Sequence, residues 1–143
     1  MQTSAQRSDS GVSGTASPFK GLKVLVIDDS KTIRRTAETL LAKEGCEVHT
    51  AVDGFDALAK IADSQPAVIF CDILMPRLDG YQTCSLIKKN PRFAGTPVIM
   101  LSSKDGLFDR ARGRMVGSDE YLTKPFTKES LLKTVASHAV RPA

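Results

Sequence analysis

The sequence predicts an α/β fold in which five parallel strands alternate with five helices. Three observations point there. Short, β-branched apolar runs recur along the chain, segments with helical spacing separate them, and turn or capping residues fall at nearly every change of period. "KVLVI" (23–27), "AVIFC" (67–71) and "PVIML" (97–101) are nearly continuous in apolar character, which suits strands covered on both faces. "CEVHT" (46–50) and "EYLT" (120–123) are weaker, as edge or near-edge strands should be.

Between the strands, Ile33, Ala37, Leu40 and Leu41 are expected on one helical face, Phe55, Leu58, Ala59 and Ala62 on a second, and Leu131, Leu132, Val135, Ala136 and Ala139 on a third. Ser30 is placed to cap the first helix and Gly45 to end it. Asp53 and Gly54 turn into the second, and Asp79, Asp105 and Thr127 precede later ones. Strict β-α alternation implies right-handed crossovers, with a ligand site at the carboxyl ends of the strands.

Composition narrows the class. A chain of 143 residues suits one domain with a real core, and 41% hydrophobic and 25% charged residues are ordinary for a globular protein. The net charge of +4 is mild and the 20 basic residues are scattered, so nucleic-acid binding is disfavoured. Cys46, Cys71 and Cys84 show no zinc spacing and read as buried thiols in a reducing compartment. No apolar run approaches the roughly 20 residues of a membrane span, and residues 1–20 lack a secretory core. A cytoplasmic location is expected, with no membrane insertion. Residues 1–20, rich in Ser, Gly, Thr and Gln, are expected to be a flexible tail, with the domain at 21–143.

The acidic residues give the site. Asp28 and Asp29 directly follow the first strand and Asp72 the third, so if those strands are neighbours three carboxylates meet at one rim. Their repulsion calls for a cation, and hard oxygen donors without His or Cys point to Mg2+. Ser102 and Ser103 close the fourth strand with hydroxyls. Lys124 closes the fifth with a positive charge, before Pro125, where a cis bond that turns the lysine inward is tolerated. Such a set neutralises and orients a phosphoryl group, with Asp72 as nucleophile. Taken alone, Asp28 and Asp29 read equally well as helix-capping acids. Asp79, in "LDGY", reads as a cap, and His49 and His138 as surface groups.

"VLVIDDS", "IFCDILMPRLDG", "PVIMLSS" and "YLTKPF", in this order, resemble the receiver domain of bacterial two-component response regulators over about residues 21–140. The resemblance implies a flavodoxin-like sheet of order 2-1-3-4-5. It makes Asp72 the phosphoacceptor, and Asp28, Asp29, Asp72 and the backbone carbonyl of Leu74 the Mg2+ ligands. It also makes Ser102 the switch hydroxyl, Lys124 the phosphate-pairing lysine and Tyr121 the switch aromatic; by packing alone, Tyr121 is simply an aromatic on a covered strand. Leu74 and Lys104 would flank the path of the hydrolytic water. Lys104, Arg110, Arg112 and Arg114, on the expected fourth helix, read as a solvated face that is also where partners of this family dock.

"MLSSKDGLFDRARGRMVGSDEYLTKPF" resembles, more narrowly, the single-domain regulators of type IV pilus chemosensory systems, the twitching-motility branch. A stand-alone receiver is expected. It would take phosphate from a histidine kinase and signal to a downstream protein through its helix 4–strand 5–helix 5 face, without being a turnover enzyme. The rival readings are a phosphate sink or phosphate-independent scaffold and, more distantly, a flavin enzyme. The latter is disfavoured because "DDSKT" would repel an anion unless a cation intervened.

Overall fold

The computed structural model describes residues 17–103 and 109–139. Its strands are β1 (Lys23–Ile27), β2 (Glu47–Ala51), β3 (Val68–Asp72), β4 (Val98–Ser103) and β5 (Glu120–Lys124). Its helices are α1 (Lys31–Ala42), α2 (Gly54–Ser64), α3 (Gly80–Lys89), α4 (Arg110–Val116) and α5 (Lys128–His138). All strand pairs are parallel, in the order β2-β1-β3-β4-β5. The expected strands thus form, each within a residue or two of its expected ends. The apolar runs were long enough to mark a strand but carried no internal signal for its last residue.

Strand alternation divides the apolar residues between two cores. Leu25, Ile27, Ile69, Cys71, Val98 and Met100 face Ala57 and Ile61 of α2 and Cys84 and Ile87 of α3. Val24, Val26, Val68, Phe70, Ile99 and Leu101 face Ala37 and Leu41 of α1 and Leu131 and Val135 of α5. Both faces of β1, β3 and β4 are therefore buried, which explains why these segments lack polar alternation. Phe19, expected within the tail, packs against the second core from a turn at residues 18–20. The earlier residues of the expected tail lie outside the described residues.

Each helix opens on a side-chain cap: Ser30, Asp53, Asp79, Asp109 and Thr127. Asp105, expected to precede the fourth helix, and Lys104 lie outside the described residues; Asp109 performs that capping role. Gly45 follows the end of α1 with φ +98°.

The face of α2 differs from expectation. Gly54, Ala57, Ile61 and Ser64 are buried and Leu58, as expected, packs against the first core, whereas Phe55, Ala59 and Ala62 are exposed. The reason is close packing: a Cβ on Gly54 would lie 2.5 Å from Thr83 Oγ1 of α3. Small residues must face that neighbour, and Phe55 turns outward, where the Arg77 guanidinium lies 4.9 Å from its ring centroid.

Candidate functional site

Parallel pairing brings the strand ends to one rim. Asp72 is the last residue of β3, in register with Leu101 of β4, and is 4% exposed. Asp28 lies one residue beyond β1. It is fully buried, held by its amide donating to the Ala51 carbonyl at 3.1 Å, while its carboxylate accepts from the Ser30 amide at 2.9 Å. Asp29 is exposed beside them. Carboxylate oxygens of Asp28, Asp29 and Asp72 lie within 4.8 Å of one another.

Lys124, the last residue of β5, reaches across β4 to this cluster. Its Nζ donates to Asp28 Oδ2 at 3.2 Å and to Asp72 Oδ1 at 3.0 Å, and the Lys124–Pro125 bond is cis. Burial, and then the charge of Asp28, raises the Asp72 carboxyl from its usual 3.8 to about 6, against the opposing bond and charge of Lys124. Burial works against the charge of Lys124, but Asp72 and Asp28 outweigh it and hold the ammonium above its usual value. Lys124 thus bridges two of the three clustered carboxylates, and Asp29 adds a third negative group beside them.

A cavity of about 240 Å³ opens onto this cluster, lined by Asp29, Asp72, Leu74, Ser102, Ser103 and Lys124. Ser102 is buried and its hydroxyl donates to the Ser103 carbonyl at 3.3 Å; Leu74 is 69% exposed at the mouth. Tyr121 stands apart from this cavity. It is half-buried on β5, and its hydroxyl accepts from Arg110 at 2.8 Å. A larger groove of about 710 Å³ lies at the other end of the sheet, but the residues lining it include no carboxylate.

Two supporting residues escaped the sequence reading. Arg34 donates to the Asp28 carbonyl at 2.7 Å from one turn into α1. Gly80 fits α3 against the end of β3, where a Cβ would lie 2.3 Å from the Asp72 carbonyl oxygen. The "DG" before an amphipathic run was a signal for the helix start, though not for that close approach. The three cysteines are free and buried, as expected.

A parallel 2-1-3-4-5 sheet with an acidic cluster and an inward lysine at its carboxyl rim defines the CheY-like receiver class. Residues 24–136 match the response regulator receiver domain, and the chain belongs to that family of signalling regulators. It is 75% identical over 118 residues to protein PilG of Pseudomonas aeruginosa, a match covering 82% of this chain and 87% of that protein. Among solved structures, the chemotaxis protein CheY4 of Vibrio cholerae superposes with a TM-score of 0.78 at 36% identity, covering 82% of this chain and 98% of the other. A putative response regulator from Chloroflexus aurantiacus gives 0.79 at 31%, covering 85% and 100%. Among the described residues, no helix is long and apolar enough to cross a membrane.

Proposed function

We propose that this receiver accepts a phosphoryl group on Asp72 from a histidine kinase and signals, in the cytoplasm, by changing its protein-binding surface. The observation that carries this reading is the bridge from Lys124 to both Asp28 and Asp72 beside a third carboxylate at the sheet rim.

The donor set is all carboxylate oxygen, with no His or Cys in the cluster, and therefore suits Mg2+. Asp28, Asp29, Asp72 and the Leu74 carbonyl would hold the ion, which supplies positive charge against the phosphoryl oxygens. An oxygen of Asp72 forms the new O–P bond as the P–N bond of the donor phosphohistidine breaks, and the leaving imidazole nitrogen remains with the donor. The Lys124 ammonium, already at the acceptor oxygen, offsets charge on the transferred group. The Ser102 hydroxyl lines the same cavity and can turn from the Ser103 carbonyl to a phosphoryl oxygen. That movement frees space for the Tyr121 ring and reshapes the α4–β5–α5 face.

The identity to PilG, together with the likeness of residues 100–126 to pilus chemosensory regulators, supports a role in type IV pilus twitching motility. Radiolabel from a phosphohistidine donor should attach in the presence of Mg2+, and should be lost with chelator or in Asp72→Ala. Persistent labelling of Asp72→Ala would remove Asp72 from its role. A downstream partner captured equally by wild type and Asp72→Ala, with or without phosphate, would instead indicate a scaffold.

A further inference from the structure

The first turn of α4 is fastened on two sides. On one, Arg110 donates to the Tyr121 hydroxyl at 2.8 Å, with its guanidinium 5.4 Å from the ring centroid. On the other, the Asp109 amide donates to the Tyr81 hydroxyl at 2.9 Å. The Arg112 guanidinium lies 4.4 Å from the Tyr81 ring centroid and 3.4 Å from Asp79, the cap of α3. Tyr81 is only 5% exposed, whereas the Arg110–Tyr121 contact lies at the surface. Tyr81 also follows Gly80, whose amide donates to the Ile73 carbonyl at 2.8 Å, so the anchor stands on the backbone beside Asp72.

We propose that this turn is a clasp in which Arg110 is a positioning residue that holds Tyr121 in its half-buried place at the margin of the first core, and Tyr81 keeps Arg110 in place through the Asp109 amide. The proposal rests on the reading that Tyr121 moves inward when Asp72 is phosphorylated. A contact made in one state and lost in the other biases the equilibrium by its own free energy. Arg110 therefore opposes activation, and by reciprocity its removal tightens binding of a phosphate analogue.

Tyr81 and Tyr121 are the two tyrosines of the chain. In a Tyr81→Phe background, the fluorine signal of incorporated 3-fluorotyrosine therefore reports Tyr121 alone. The full chain is titrated with beryllofluoride and Mg2+ as wild type, Arg110→Ala, Tyr81→Phe and the double variant, with Arg114→Ala as control. For Arg110→Ala, half-saturation should fall about two- to fivefold, the range of an exposed cation–π contact. The Tyr121 signal of the double variant should differ from that of Tyr81→Phe even without beryllofluoride. Tyr81→Phe should also bind more tightly, with the double variant no tighter than Arg110→Ala alone, and Arg114→Ala should match wild type. Unchanged half-saturation in Arg110→Ala, with or without a lowered unfolding midpoint, overturns the clasp. Additive effects in the double variant overturn the anchoring by Tyr81. If wild type takes up no beryllofluoride, the acceptor reading fails, and the Tyr121 signal in the two Tyr81→Phe variants alone decides the clasp: a shift on loss of Arg110 supports it, and no shift overturns it.

Discussion

Asp72 is buried beside the charge of Asp28, and Lys124, shared between the two, offsets this only in part. The Asp72 carboxyl binds a proton more tightly in the folded chain, about 6 against the usual 3.8, so ionising it costs stability as pH rises through that interval. Without divalent cations, Asp72→Asn should raise unfolding stability by on the order of 1–3 kcal/mol at pH 8 and by much less at pH 4. Urea unfolding at the two pH values measures the difference. At the mouth of the same cavity, exposed Leu74 offers no hydrogen bond to an attacking water. Leu74→Asn should speed loss of phosphate severalfold, timed by decay of radiolabel; unchanged or slower decay would count against that role. The convergence of Asp28, Asp29, Asp72 and Lys124 was legible in the sequence because each stands at the end of an apolar strand, and parallel strands end at one rim. Tyr81 was not, because an aromatic on an amphipathic helix looks like packing until its hydroxyl is seen to receive the Asp109 amide.

Helices expose the limit of pattern reading better than strands do. On α2 the bulky residues suggested one face and the structure buries another, because the approach of α3 admits only small side chains at Gly54. Ile61→Ala should therefore cost about 2–5 kcal/mol, and Phe55→Ala, at a surface site, less than about 1. Equal costs in denaturant titrations would contradict the observed face. For α1 and α5 the expected stripes do put Ala37, Leu41, Leu131 and Val135 in the core, although Ala136, expected with them, is exposed. Gly80→Ala tests the contact of α3 with β3. The added methyl meets main chain rather than a yielding side chain, so a loss of about 1–3 kcal/mol is expected in the same assay.

At the scale of the molecule, the sheet has a core on each face and its titrating chemistry on one rim. Alternation of periods made that architecture readable, whereas the strand order came only with the family resemblance, because local pattern does not say which strands are neighbours. Mg2+ at about 100 times its dissociation constant should stabilise the protein by about 2.7 kcal/mol. Asp29→Ala, exposed and outside the packed core, should abolish the gain without lowering metal-free stability; thermal melts with and without chelator measure both. β3 is the middle strand of five and buried along its whole length, whereas β5, at the edge of the sheet, has no fully buried residue. On the proposed reading, a phosphoryl group at the end of β3 is added among buried neighbours, and the strand left with room to adjust is the half-covered β5. A change made at the enclosed centre would then be read at the more open edge.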